Sequence, residues 1–292
     1  MPGGWQPAYA RRVIRFAKGH GTENDFVVLP DVAATLHLTT ELVRRICDRR
    51  AGIGGDGVLR VVRTRDVAEV SELAGEAEWF MDYRNADGGA VEMCGNGIRV
   101  FARYLVRAGL AEAGTLAIAT RSGVKTVTLG TDGDVTVSMG TARLLPTDRK
   151  VTVEGQSWPA VEVDMGNPHA VAFVDDLADA GHLTAAPVVE PAYPNGVNVE
   201  FVVRRGEAHV AMRVHERGVG ETRSCGTGAC AVMVAAARRD GRTPRDEPTT
   251  YRVDVPGGTL SVTEHPDGRV DLTGPAVLVA EGTVDPAWWD AP

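Results

Sequence analysis

Ser224-Cys225-Gly226-Thr227-Gly228-Ala229-Cys230-Ala231-Val232-Met233-Val234-Ala235-Ala236-Ala237 carries no charge, opens on a Cys-Gly-x-Gly turn and ends at Arg238-Arg239. A helix apolar on every face is stable only with protein all around it. The simplest surround is a curved sheet wrapped about a central helix. The same turn occurs once more, as Cys94-Gly95-Asn96-Gly97, running into Ile98, Phe101, Ala102 and Leu105 with Gly109 as a stop. The approaches to the two turns also match in kind, Tyr83-Arg84-Asn85-Ala86-Asp87-Gly88 in one case and Glu216-Arg217-Gly218-Val219-Gly220-Glu221 in the other. Further upstream, Gly21-Thr22-Glu23-Asn24-Asp25-Phe26 is loosely echoed by Met165-Gly166-Asn167-Pro168-His169, each followed by an apolar run. Two similar halves, each with one cysteine at a helix start, is the economical reading.

Around these turns the chain is punctuated by 34 glycines and 16 prolines into short β-branched or alternating runs. Asp132-Gly133 and Asp267-Gly268 are hairpin signals between such runs. A third helix is expected where Thr39 can cap a segment with Leu42, Val43, Ile46 and Cys47 on one face, which makes Cys47 a core residue. The expected fold is α/β of the α+β type, with two pseudo-symmetric halves, each a curved, mainly antiparallel sheet around a central helix. Residues 13–138 with 275–292 form the half carrying Cys94, residues 139–274 the half carrying Cys225, and residues 1–12 are an extension.

Composition limits the function classes. The 292 residues carry 31 Lys+Arg against 39 Asp+Glu, a net charge of −8, which disfavours nucleic acid as a partner. A hydrophobic fraction of 43% with 24% charged residues is that of a soluble globular protein. Four cysteines are too few for a disulfide scaffold at this length and read as reduced thiols, hence a cytoplasmic protein. The N-terminus lacks a signal-peptide core, and the longest apolar stretch, Ser224 to Ala237, is too short to span a bilayer. No membrane partner is expected. Lys18, Lys125 and Lys150 are the only lysines, which narrows lysine-dependent chemistry without excluding pyridoxal phosphate on count alone.

A helix N-terminus offers unsatisfied N–H groups and about half a positive charge, and it lowers the pKa of a thiol placed there. Flanking glycines let a ligand approach those N–H groups. One such turn alone reads best as a buried cysteine at a tight bend. A matched pair changes this: two thiols facing one cavity suit racemisation or epimerisation, one removing a proton α to a carboxylate and the other returning one to the opposite face. The helix N-termini would hold the developing carboxylate charge.

The ordered motifs Lys18-Gly-His-Gly-x-x-Asn24-Asp25-Phe26, Gly52-Ile-Gly-Gly-Asp56-Gly57, Asn85-Ala-Asp-Gly88, Met93-Cys94-Gly-Asn96-Gly97, Met165-Gly-Asn167-Pro-His169, Val197-Asn198, Glu216-Arg217-Gly-x-Gly-Glu221-Thr and Ser224-Cys225-Gly-Thr227-Gly228 cover nearly the whole chain. In these the sequence resembles the diaminopimelate epimerase family. The resemblance implies the fold of that family and an isomerase that interconverts LL- and meso-diaminopimelate without pyridoxal phosphate or other cofactor, in lysine and peptidoglycan precursor biosynthesis. It further implies Cys94 and Cys225 as the acid/base thiols, with no metal. Gly95, Asn96, Gly226 and Thr227 match the turns that hold the reacting carboxylate. Asn24, Asn85, Asn167 and Asn198 match substrate-binding asparagines, and Glu216 with Arg217 matches the pair that reads the distal amino-acid end. His169 matches a position that, with Glu216, tunes the thiols. The substrate partner is thus a small amino acid, and a homodimer is left open.

Departures are Gly57 where some members carry glutamine, and Thr22-Glu23 in place of the commoner Leu-Gly, which alters that loop. His215 and Arg84 read as structural, and Cys230 as packing. Competing functions are a two-thiol proline or hydroxyproline racemase, a thiol redox sensor using a Cys94 to Cys225 disulfide, and a non-catalytic amino-acid binding protein.

Overall fold

The computed structural model describes residues 13–131 and 133–291, so the extension 1–12 and Asp132 lie outside the described residues. The first run of elements is β1 (Ile14–Gly21), β2 (Asn24–Pro30), helix α1 (Thr40–Cys47), β3 (Gly57–Arg63), β4 (Trp79–Asn85), helix α2 (Gly95–Arg107), β5 (Gly114–Thr120), β6 (Gly123–Leu129) and β7 (Val135–Thr141). The second is β8 (Arg143–Val153), β9 (Gln156–Asp164), β10 (Pro168–Phe173), β11 (Val188–Glu190), β12 (Asn198–Gly206), β13 (His209–Glu216), β14 (Gly220–Thr222), helix α3 (Gly226–Arg239), β15 (Thr249–Val255), β16 (Gly258–Glu264), β17 (Arg269–Gly274) and β18 (Val277–Val284).

The two runs repeat one pairing order. β1 pairs antiparallel with β2, β2 parallel with β3, β3 antiparallel with β4, β4 parallel with β5, and β5, β6 and β7 follow as antiparallel neighbours. β9, β10, β12, β13, β15, β16 and β17 reproduce each of those steps in the same sense. After β7 the chain enters β8, which pairs with β9; after β17 it enters β18, which pairs with β1. The runs are stitched together where β7 and β17 pair antiparallel, Val137 opposite Leu272.

α2 lies between β4 and β5, and α3 between β13 and β15 after the short β14, so each central helix occupies the same place in its run. α3 is buried from Ala229 to Ala237. This is what its uncharged sequence demands, and Arg238 at its end leaves the core to pair with Glu264. On α2, Ile98, Phe101, Ala102 and Leu105 are buried as their spacing predicts. α1 begins where expected, Thr39 Oγ1 accepting the Leu42 N–H at 3.2 Å. It lies on the outer face of β2 and β3, against Val27, Leu29 and Val58. Those strands are therefore apolar on both faces, with Val28 and Leu59 turned to the α2 side.

Two features of the sequence are resolved by packing. Thr22 and Glu23 both adopt positive φ, 49° and 61°, in the two-residue turn from β1 to β2. The loop keeps its tight form at a backbone cost of order 1 kcal/mol for each residue that is not glycine. Gly57 is required by its neighbours: a Cβ there would stand 2.7 Å from Cε2 of Tyr83, so the tyrosine ring occupies the space a longer residue would need.

Candidate active site

Cys94 and Cys225 are the N-cap residues of α2 and α3 and share one backbone conformation, φ/ψ of −142°/120° and −120°/117°. Each sulfur takes the place of a capping hydroxyl. Cys94 Sγ accepts the Gly97 N–H at 3.4 Å, and Cys225 Sγ accepts the Gly228 N–H at 3.3 Å. The two helix starts abut: a Cβ on Gly226 would lie 3.3 Å from the Cα of Gly95 and 3.1 Å from Leu272 Cδ2. Gly95 meets the same Leu272 methyl and Met139, so β7 and β17 form the floor on which both starts rest. All four cysteines are free, with Cys47 and Cys230 buried in the core.

Around Cys94, the thiol donates to Asn24 Oδ1 at 3.6 Å, and Asn24 Nδ2 donates to Asp56 at 2.8 Å. Arg49 bridges Asp56 and Asp25 at 2.8 and 2.6 Å, and Lys18 also donates to Asp25. Burial alone would raise the Asp25 carboxyl, but the Arg49 and Lys18 bonds overcome it and hold Asp25 far below the usual carboxylate range. Asn85 lies at the end of β4, where its Oδ1 accepts the Tyr83 hydroxyl at 2.6 Å, leaving its NH₂ group for a ligand.

Asn96 joins this cluster, its Nδ2 donating at 3.3 Å to the Asn24 Oδ1 that also accepts the Cys94 thiol. Its side chain is 1% exposed and donates to Ser224 O at 3.1 Å, tying α2 to the residue before Cys225. Thr22 joins the tie through Ser224 Oγ at 2.6 Å. Arg99, fully buried, reaches Thr22 Oγ1, Gly95 O and Pro275 O, three neutral oxygens. The Asn96 amide is thus shared between Asn24 and Ser224, and its backbone N–H faces the Cys94 sulfur.

Around Cys225, Thr227 Oγ1 is 3.6 Å from the sulfur and accepts from Asn167 Nδ2 at 3.4 Å. His169 Nε2 meets Asn167 Oδ1 at 3.1 Å, and His169 Nδ1 meets Glu200 Oε1 at 2.7 Å. Glu216, at the end of β13, accepts the Thr222 hydroxyl and a bond from Cys225. Burial raises the Glu216 carboxyl above its ordinary value despite those bonds. Asn198 Oδ1 accepts the Arg217 backbone N–H at 2.9 Å, while the Arg217 side chain is exposed and donates to Asn195 O. Glu216 and Arg217 thus diverge, the carboxylate facing the thiol and the guanidinium the solvent.

The helix N-termini do not by themselves make these thiols acidic. Burial pushes Cys94 up to about 11 and Cys225 well above the ordinary thiol value, outweighing the N–H groups of Gly97 and Gly228. Among the described residues no three His, Cys, Asp or Glu side chains are grouped to hold a metal ion, and no helix is long and apolar enough to cross a membrane.

The diaminopimelate epimerase family model matches residues 16–145 and 161–279. The chain belongs to the diaminopimelate epimerase family. It is 63% identical to the diaminopimelate epimerase of Streptomyces coelicolor over 94% of this chain and 96% of that one. To that of Rhodococcus jostii it is 47% identical over 94% and 98%. Among solved structures, a phenazine biosynthesis protein of the PhzF family from Bacillus anthracis has a TM-score of 0.70 at 17% identity, covering 94% of this chain and 99% of that one. A hydroxyproline epimerase from Agrobacterium vitis has a TM-score of 0.68 at 15% identity, covering 96% and 95%. These two likenesses are of fold, and they bear out the α+β architecture expected from the repeated halves.

Sequence reading missed Glu200, Tyr83, Ser224 and Arg99. Glu200 had a visible signal, a charge inside the apolar run Val197-Asn198-Val199-Glu200-Phe201-Val202. Ser224 stood inside a recognised motif without a role, and Arg99 had no signal, because what both do exists only where the two halves meet.

Proposed function

We propose that this chain is a cofactor-independent isomerase that interconverts LL- and meso-2,6-diaminopimelate, with Cys94 and Cys225 as the two proton carriers. The observation that carries this is the pair of matched N-cap thiols on helices that abut at Gly95 and Gly226. A thiolate on one side removes the α proton. The electron pair left on carbon delocalises into the carboxylate, whose growing charge is met by N–H groups of the turns at Gly95, Asn96, Gly226 and Thr227. The opposite thiol then donates its proton to the other face. Each turnover leaves the thiols with exchanged roles, and the reverse reaction uses the same groups in reverse order. Burial raises both thiols above the ordinary thiol value in the unliganded protein. Substrate binding and closure around it must therefore supply part of the driving force for ionisation.

In this reading Asn85 and Asn198, whose amide oxygens are engaged, present N–H donors to substrate carboxylate. Glu216 suits an ammonium group and Arg217 a distal carboxylate, which requires the guanidinium to swing in from solvent. Asn24 and Asn167 orient the thiol surroundings, and His169 acts behind Asn167. The functional lobes are 13–138 with 275–292 and 139–274, with crossing points inside β7 and just before β18. The protein works in the cytoplasm as part of lysine and peptidoglycan precursor synthesis, as a monomer or a homodimer.

Incubating reduced protein with LL-diaminopimelate in deuterated water tests the proposal. Deuterium should enter one α carbon as the meso isomer accumulates, and Cys94→Ala or Cys225→Ala should each lower turnover by at least about 100-fold. Absence of exchange in the reduced parent protein would refute it, and turnover of proline in its place would favour the proline racemase alternative.

A further inference from the structure

Strand register allows the two halves to be compared residue by residue. Phe26 on β2 lies opposite Gly57 on β3, and His169 on β10 lies opposite Asn198 on β12. Two residues along each pair of strands, Leu59 corresponds to Glu200. These positions lie beneath the two thiol turns. A Cβ on Gly97 would stand 3.3 Å from Leu59 Cδ2 and 3.5 Å from Phe26 Cζ. A Cβ on Gly228 would stand 2.8 Å from Glu200 Oε1 and 3.3 Å from Cys225 Sγ. One backbone motif is thus built twice, over hydrocarbon at Cys94 and over an ionisable pair at Cys225.

The pair is costly. His169 and Glu200 are both 0% exposed, and Glu200 Oε2 is buried without a hydrogen bond among the described residues. An incompletely satisfied buried carboxylate is retained at the expense of stability. Packing does not call for it, since leucine fills the equivalent place in the other half. We propose that Glu200 is a positioning residue of the reaction: acting with His169 beneath the first turn of α3, it keeps the proton on Cys225 in the resting protein and leaves Cys94 as the thiol that ionises first. The assignment rests on the epimerase reading above.

The remaining charges point the same way. Cys225 is faced by Glu216 from β13 and Glu200 from β12, with His169 from β10 behind Glu200 and Thr227 Oγ1 and the Gly228 N–H on its own helix. Both carboxylates disfavour a thiolate there. Cys94 is faced by the neutral Asn24 side chain from β2, by Tyr83 from β4, by Arg99 from its own helix and by Glu216 across the cavity; Glu216 disfavours a thiolate there as it does at Cys225, while Arg99 and the N–H groups of Asn96 and Gly97 favour one. The resting protein is then set to accept the substrate isomer whose α hydrogen faces Cys94, and the opposite isomer must wait for a proton to change sides.

The test titrates each thiol separately by ultraviolet thiolate absorbance, in Cys225→Ser and Cys94→Ser chains, with the double serine chain subtracting Cys47 and Cys230. Cys94 should ionise at lower pH than Cys225. Glu200→Gln should lower the Cys225 midpoint by roughly one pH unit or more and leave Cys94 unmoved. His169→Phe with Glu200→Leu, which copies the floor of the first half, should bring the two midpoints together and serves if the single variant does not fold. A Cys225 midpoint that stays or rises, or equal shifts in both thiols, overturns the assignment. No turnover enters these titrations, so loss of the epimerase reading would show separately, as absent deuterium exchange in the parent protein.

Discussion

Gly95 and Gly226 meet where the two central helices begin, so close that a Cβ on Gly226 would stand 3.3 Å from the Cα of Gly95. Neither glycine has a positive φ, so close approach and not backbone conformation requires them. Gly226→Ala should push the start of α3 away from α2 and Leu272. Misplacing one thiol by a fraction of an ångström to an ångström should lower kcat/KM by on the order of 100-fold. Steady-state kinetics beside a thermal melt check this, and unchanged kinetics in a folded variant would show that the helix starts need not touch.

Raised thiols set the pH dependence. A group whose pKa is raised keeps its proton over a wider range, so the thiolate fraction at Cys94 falls about tenfold for each pH unit below its midpoint near 11. In the unliganded protein, alkylation of Cys94 by iodoacetamide should therefore rise with pH through the neutral and mildly alkaline range without a plateau. Peptide mass spectrometry reads the rate, and a plateau at neutral pH would mean that burial does not dominate this thiol.

Asp25 contributes stability with the opposite sign. Its carboxyl is held down by Arg49 and Lys18 against the pull of burial, so the contribution is full above the unfolded carboxylate value near 4 and fades as pH falls toward the folded one. Asp25→Asn should lower Tm at neutral pH, and the gap to the parent should narrow in acid below about pH 4. Paired melts across that range decide it; a gap that widens in acid would contradict the sign.

Position 57 should not accept the glutamine that some family members carry. Tyr83 and the Arg84 carbonyl occupy the space beside Gly57, so Gly57→Gln should destabilise by about 1–3 kcal/mol through overpacking. It should also disturb Asn85, whose orientation depends on the Tyr83 hydroxyl. Chemical denaturation and KM measure the two effects. A variant as stable as the parent would mean the tyrosine ring can move aside.

Much of this architecture was open to sequence reading because its signals are local. The uncharged helix after Cys225 needs a surround wherever it occurs, and Thr39 caps α1 through a bond three residues away. The repeated Cys-Gly-x-Gly turns marked both thiols for the same reason. Asn96 and Arg217 were harder. Both match site motifs, yet one amide is shared between Ser224 and Asn24 and one guanidinium lies in solvent, and each outcome depends on residues more than a dozen positions away.

By itself, then, the sequence determined the family, the two helix-capping thiols and the doubling of the fold, since periodicity, capping and glycine-rich turns act over a few residues. Only the tertiary structure decided that the halves are chemically unequal. Leu59 and Glu200 become equivalent through the register of parallel strands, and their effect on a thiol depends on burial and distance, which no linear spacing encodes.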